Sequence, residues 1–475
     1  MHVSFHALAL SQDGDPNGAI RELDRARTLG TDPARVISAP VVAELRDGIV
    51  HYWLRRADVV FRGFVGFYAG VLVLMMSTGL ILAFWTRGTG ALKLLGNEVE
   101  EWVTAGRVIR TGSESLLSRL YKYALGLGLV LFYAAFPFVT VGVVGLCAMF
   151  IFAFLKLDPV PVKPLALTLL IGTVITWGLI RSLLVRPGGG VFGLRKTAND
   201  CPRLYRMLLE VAERVDTDPI SDVYLTPGAG VGVYQKGSGP FGAFGEKRRV
   251  LVIGLSTINC LTVAQLRAVL AHEYAHFSHH DTYYNRFVFH VSLTMDQAIL
   301  GLGNAGWLFK YTNPFFWFLF VYRKSFHLLA SGFSRSREFL ADRMAASLYG
   351  SAELTTALRA VMTEGSLFDL SLGKTIAAVI DRRQGYVNVY EAFRVFRDKK
   401  LAAGERERIY SELLKSRSSL FASHPTFGER IEAVASLPAA REPDTRPARE
   451  LFEHPEAIEM ELTKFLTAHL FRTAS

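Results

Sequence analysis

The sequence predicts a mainly α chain in two parts: apolar helices long enough to cross a membrane, then an α+β domain with a small β-sheet. Three observations carry this reading. Half of the 475 residues are hydrophobic and the mean hydropathy is positive, which is too apolar for an ordinary soluble chain. Three long apolar stretches fall between residues 59 and 186. Beyond Pro187-Gly188-Gly189-Gly190, a clear breaker, short β-branched runs alternate with segments of helical periodicity.

Residues 1–58 read as a polar arm, helical around 19–29 and 41–54. The first forty residues mix Asp, Glu and Arg and lack an apolar core of their own, so no cleavable signal peptide is expected. Residues 59–186 form the membrane region, with spans near 59–85, 123–155 and 164–185. The first stretch carries only Arg62. The second is too long for one upright helix and short for two, and Pro137 near its middle can kink one tilted helix or turn a hairpin. Arg181 and Arg186 close the third.

Arg55, Arg56 and Arg62 precede the first span, and Arg181, Arg186, Arg195 and Lys196 follow the third. Both clusters point to the cytoplasmic side, which needs an even number of crossings and favours the hairpin. The loop 87–122 between them is also basic. The net charge of +10 fits basic flanks against anionic headgroups, so a lipid bilayer is an expected partner and nucleic acid is not. Cys147, Cys201 and Cys260 are scattered without a CxxC pair, which fits a reducing compartment and supplies no metal cluster. There is no internal repeat and no low-complexity run.

In residues 187–475 the pattern gives a helix over 202–215 and short strands at 223–225, 231–234 and 250–253. The next helix carries the chemistry. Thr262-Val263-Ala264-Gln265 has the form of a capping box, and Leu266, Val269, Leu270 and Tyr274 follow at helical spacing. His272-Glu273-Tyr274-Ala275-His276 then places two imidazoles one turn apart on one face, where they can share a zinc ion. Zinc lowers the pKa of a bound water to about 7, and Glu273 beside the first ligand can take its proton. The pattern predicts metal-assisted hydrolysis, most often of peptides.

Ser334-Arg335-Ser336-Arg337-Glu338-Phe339-Leu340-Ala341-Asp342 lies downstream. Glu338 and Asp342 are again one turn apart. One can ligate the metal, and the other can accept the spare ring N–H of a ligating histidine. Between these two motifs, the apolar insertion 287–332 either spans the membrane or lies on it. His290, Asp296, Gln297, Arg323 and Lys324 within it favour amphipathic helices at the surface.

Together with Ser423-His424-Pro425-Thr426-Phe427-Gly428-Glu429-Arg430-Ile431, these stretches resemble, in order, the signatures of the M48 family of membrane metalloproteases, which includes the HtpX and Ste24 types. The resemblance covers roughly residues 195–437. It implies a zincin-like α+β metalloprotease domain of the gluzincin kind, with one zinc held by His272, His276 and Glu338 and with Glu273 as general base. It further implies that Asp342 orients a ligating histidine, that His424 stabilises the oxyanion, and that Arg430 shapes the site. Asp281 matches an aspartate that often follows the motif helix, and His279 and His280 are polar residues at the helix end, not ligands.

The family usually has an Asn-Ala pair on the strand lining its substrate groove. Here Gly230 stands at that place, a departure that bears on the asparagine's polar contact to substrate or to the motif. The strand through Val231, Gly232, Val233 and Tyr234 can still pair with an extended peptide through its backbone, or the glycines can mark a flexible or bulged loop. The expectation is a membrane-bound endopeptidase of the bacterial inner membrane, with its catalytic domain cytoplasmic, that cleaves unfolded or membrane proteins in quality control. The alternatives are a CAAX-type processing protease and a non-catalytic, zinc-containing membrane scaffold. Substrate identity and oligomeric state are not encoded in any motif.

Overall fold

The computed structural model describes residues 6–7, 9–10, 15–30, 39–87, 90, 116–155, 160–183, 192–238, 244–278, 291–292, 294–300, 314–382, 388–400, 404–416, 419, 422, 424–440 and 442–473. The glycine-rich breaker at 187–190, most of the basic loop, His279, His280, Asp281 and His290 lie outside them. By contacts the chain divides into Met1–Leu74 and Met75–Ser475.

Helix α1 (Pro16–Thr28) begins at Asp15, whose carboxylate accepts the Gly18 N–H at 2.9 Å, with proline at the first helical position. Ala19, Leu23 and Ala26 form its buried stripe. Helix α2 (Ala39–Trp85) joins the second half of the polar arm to the first apolar stretch in 47 unbroken residues. Pro40 falls in the first turn, where its missing N–H costs nothing, and no further proline interrupts the helix. Such a helix is about 70 Å long, more than twice a bilayer core, so much of it projects beyond any span. Its apolar part is Phe61–Trp85.

Helix α3 (Leu116–Leu155) runs continuously through Pro137, so the second apolar stretch is one helix and not a hairpin. Its apolar part, Tyr121–Ile151, and Phe61–Trp85 are the two segments long and apolar enough to cross a membrane among the described residues. Helix α4 (Val162–Leu183) packs along α3, and its apolar stretch Val162–Trp177 is shorter. A Cβ built on Gly172 would lie 2.5 Å from the Cys147 thiol, so the small residue permits a close approach of α4.

The α+β part holds a four-stranded sheet in the order β1-β2-β4-β3. Strands β2 (Asp222–Thr226), β3 (Val231–Ser238) and β4 (Phe244–Gly254) correspond to the three expected from sequence. β1 (Leu194–Lys196), only three residues long, was not expected. β2 and β4 are parallel, and the other two pairings are antiparallel, leaving β3 at the edge. Val223, Leu225, Leu251 and Ile253 alternate onto the buried face, as period-2 strands require. They share one core with α5 (Pro202–Val215), which buries Leu204, Met207, Leu208, Val211, Ala212 and Val215. Helix α6 (Leu255–Cys260) then leads into α7 (Val263–Ser278), whose predicted capping box is present. The Thr262 N–H donates to Gln265 Oε1 at 2.9 Å, and the Gln265 N–H donates to Thr262 Oγ1 at 3.3 Å.

Helix α8 (Pro314–Tyr349) is the main departure from the sequence reading. The second half of the apolar insertion and the Glu338 helix are one helix of 36 residues. Its first half packs on α3: Phe132 and Tyr322 rings lie 5.5 Å apart, and Tyr322 donates to the Gly128 carbonyl. Arg323, one of the charges read as favouring a surface helix, is paired with Asp296. Helices α9 (Ser351–Arg382), α10 (Val389–Val395), α11 (Glu405–Lys415), α12 (Phe427–Val434) and α13 (Pro455–Thr473) complete the domain.

Helix α13 is tied in by Glu459, a fully buried carboxylate. Arg394 grips it with two N–H groups at 2.8 and 3.0 Å, and Asn388 and Asn259 each donate to it at 3.0 Å. Burial pushes its pKa up, but these donors outweigh it and hold it below the usual 4.5. A depressed carboxylate stabilises the fold above its unfolded-state pKa and loses that contribution as pH falls through the folded-state value. Glu459→Ala is therefore expected to destabilise by about 3 kcal/mol at pH 7. The deficit should shrink in melts taken progressively below about pH 4.5. A deficit that grows on acidification would contradict the assignment.

Candidate active site

Helix α7 supplies His272, Glu273 and His276, helix α8 supplies Glu338 and Asp342, the segment entering α12 supplies His424, and α12 itself supplies Arg430. The rotational setting of α7 is fixed by Tyr274, the middle residue of the motif. It is fully buried, and its hydroxyl accepts the Ile220 N–H at 3.2 Å and donates to the Leu208 carbonyl at 3.0 Å. With Tyr274 pinned inward, both histidines turn toward α8.

The His272 and His276 Nε2 atoms are 3.3 Å apart. They lie 3.5 and 3.6 Å from the two oxygens of Glu338. A tetrahedral ion bound at 2.0–2.1 Å sets its donors about 3.3–3.4 Å apart, so this triangle has the size one zinc needs. The chemistry of the donor set agrees, since two imidazoles and a carboxylate leave a fourth position open, as hydrolytic zinc sites do. Burial lowers the His276 pKa to about 4, which leaves the ring in its neutral, ligating form.

Asp342 is completely buried and accepts from His272 Nδ1 at 3.0 Å, which turns Nε2 toward Glu338. Arg430 closes a fork on the same carboxylate at 2.8 and 2.6 Å. Burial alone would raise the Asp342 pKa. Arg430 and His272 outweigh it and hold the carboxyl below its ordinary range. The structure thus gives Arg430 a definite partner, where the resemblance had it only shaping the site. Arg430→Met should leave the buried Asp342 with His272 as its one remaining partner among the described residues. We expect a loss of about 3–5 kcal/mol in denaturant melts and metal affinity weakened by about 10–100-fold. Unchanged stability and affinity would remove Arg430 from this role.

His424 Nδ1 lies 3.1 Å from Glu338 Oε1, and 70% of its side chain is exposed. The segment behind it is anchored by a capping box that sequence reasoning passed over, although Thr-x-x-Glu was legible: Thr426 and Glu429 exchange hydrogen bonds of 2.8 and 3.3 Å. Glu338 would be raised by burial, but hydrogen bonds from His272 and His424 hold it well below the usual carboxylate range. Glu273 moves the other way. Burial raises its pKa, partly offset by His272 and by a hydrogen bond from the Val233 backbone N–H.

That last contact connects the base to β3. The Gly254 N–H donates to the Gly230 carbonyl at 2.7 Å, so residues 230, 232 and 234 turn their backbone groups toward β4. Those of Val231, Val233 and Gln235 then face outward. The loop entering β3 is held at three carbonyls: Pro227 by Tyr390 Oη at 3.1 Å, Ala229 by Thr257 Oγ1 at 2.6 Å, and Gly230 by Gly254. Gly230 leads into regular strand, and the irregularity of β3 lies further on, between Lys236 and Ser238.

An HExxH helix, a glutamate on a second helix and an edge strand beside them bring together a His-His-Glu group that could hold a metal ion. The family model of peptidase family M48 matches residues 235–437. Proteins named protease HtpX homolog are similar over part of their length. The one from Acaryochloris marina is 29% identical over 164 residues, 32% of this chain and 52% of the relative. That of Ralstonia pickettii is 29% identical over 158 residues, 31% and 51%, and that of Burkholderia cenocepacia 28% over 170 residues, 34% and 56%. The chain spans about half the length of the curated relatives it matches. Over residues 235–437 the chain is thus similar to peptidase family M48, and over about a third of its length to the HtpX homologs.

Proposed function

We propose that this chain is a membrane-bound zinc metalloendopeptidase that hydrolyses peptide bonds of unfolded or membrane proteins, in membrane protein quality control. The observation that carries the reading is the triangle of donors from His272, His276 and Glu338, with Glu273 on the same helix. When bound, zinc supplies the Lewis acid that polarises the scissile carbonyl and acidifies a water. Glu273 takes the proton of the attacking water and returns it to the leaving amine, so the C–N bond breaks with the proton balance closed. Its raised pKa suits a group that must both accept and donate. Asp342 and Arg430 keep His272 in the orientation that presents Nε2. His424 faces the oxyanion, a contribution of about 2.7–4 kcal/mol in comparable sites. The outward backbone groups of Val231, Val233 and Gln235 align an extended peptide alongside.

Two helices long and apolar enough to cross a membrane support attachment to a bilayer; we place it at the bacterial inner membrane with the catalytic domain cytoplasmic, on the basic residues that flank the apolar stretches. The reading is tested on the full chain in detergent with a denatured protein substrate. A zinc chelator should abolish cleavage and added zinc should restore it. Cleavage that persists after complete zinc removal would sink the reading.

A further inference from the structure

Arg335 takes no part in the scheme above, yet it is among the largest fully buried side chains of the described residues. It lies on α8 one turn before Glu338 and two before Asp342, on the same stripe. Among the described residues no carboxylate stands at ion-pair distance from it. Its partners are two carbonyls and a hydroxyl. One arm, Nη1, donates to the Ala422 carbonyl at 3.0 Å. The other, Nη2, donates to Thr86 Oγ1 at 2.9 Å and reaches the Ala83 carbonyl at 3.4 Å. Among the described residues its Nε has no partner.

Burying a guanidinium without a counter-ion is costly, and a leucine would fill the same space more cheaply. What the arginine provides is a rigid fork joining two chain segments. One segment is the end of α2, where Thr86 Oγ1 also donates to the Leu82 carbonyl at 2.7 Å. The other is the segment two residues before His424. The surroundings are close-packed. A Cβ on Gly332 would lie 2.7 Å from Thr86 Oγ1 and 2.8 Å from Tyr121 Oη, and Tyr121 donates to the Leu329 carbonyl. The tip of α2, the start of α3 and the middle of α8 therefore meet at Arg335.

We propose that Arg335 is a positioning residue that ties the end of the apolar helix α2 to the His424 segment, so that the placement of His424 against Glu338 depends on that helix end. The proposal deepens the protease reading and rests on it for its kinetic consequences, but the bridge itself can be read without activity.

The test uses the full chain in detergent. In Arg335→Gln, amide exchange over residues 422–426 should quicken while that of α13 stays as in wild type. With zinc content unchanged, kcat on a peptide substrate should fall about 10–100-fold, the size expected when a catalytic group is misplaced by about 1 Å, with KM within about twofold. Thr86→Val removes one acceptor at constant shape and should move exchange and kcat in the same direction by less. It decides the matter if Arg335→Gln does not fold. Arg335→Lys keeps the charge but has one head, and should behave as Arg335→Gln does. In a His424→Ala background, Arg335→Gln should cost almost nothing more. Unchanged exchange at 422–426 in both variants, full rescue by lysine, or additive losses with His424→Ala would each overturn the proposal. Failure of the protease reading would look different: an inactive wild type in which the exchange response to Arg335→Gln is still present.

Discussion

Glu273→Gln should lower kcat by about 10³-fold while leaving zinc content at the wild-type level. Gln keeps the shape of Glu, so β3 and α7 should stay in place. It cannot accept a proton from water. Glu273 is outside the donor triangle, since the three mutual distances of 3.3, 3.5 and 3.6 Å belong to His272, His276 and Glu338. Metal analysis and kinetics on one preparation separate the two roles. A variant within tenfold of wild type would mean that the base is another group. Lost zinc would mean that Glu273 belongs to the metal site.

Glu338→Ala should do the opposite, emptying the site and abolishing activity together. Removing it takes away one of three donors and the acceptor for His424 Nδ1. The two histidines left on α7 form a weaker, incomplete set. Zinc per chain should fall from about one to near zero after dialysis against a modest chelator. The wild type should gain about 4 kcal/mol of stability at a thousandfold excess of zinc over its dissociation constant, and the variant should gain almost none. Full zinc occupancy in Glu338→Ala would show that the third ligand has been misassigned.

The parts of the site that were legible in the sequence are those set by helical spacing. His272 with His276, and Glu338 with Asp342, need only a helix to align them, and the capping box at Thr262 announced where the first helix starts. That the two pairs face one another follows from the packing of α8 on α7, and no spacing in either segment encodes it. The resemblance supplied that step, along with His424. Arg335 stood inside a quoted motif, but its partners are 87 and 249 residues away in sequence, so its role is invisible locally. Glu459 is similar, a carboxylate on the amphipathic α13 whose partners come from α6 and α10.

Two boundaries were misread for one reason. Apolar patterning marks where a helix is buried or lipid-facing, and it does not mark where the helix stops. The arm and the first span proved to be one helix, as did the insertion and the Glu338 segment. Pro137 was read as able to kink one helix or turn a hairpin, with the flanking charges favouring the hairpin; α3 continues through it as one helix, since a helix can bend around one lost hydrogen bond. β1 was missed because three residues are too few to display a period.

The edge position of β3 bears on which proteins the site could act upon. A chain lying beside it must be extended over several residues and must have its own N–H and C=O groups free, because Val231, Val233 and Gln235 offer only backbone partners. A natively folded protein has its strands and helices internally paired and offers no such segment, whereas a damaged one exposes many. Discrimination between sound and failed molecules would then need no reading of side chains: the enzyme would sort its clients by whether their main chain is still looking for partners.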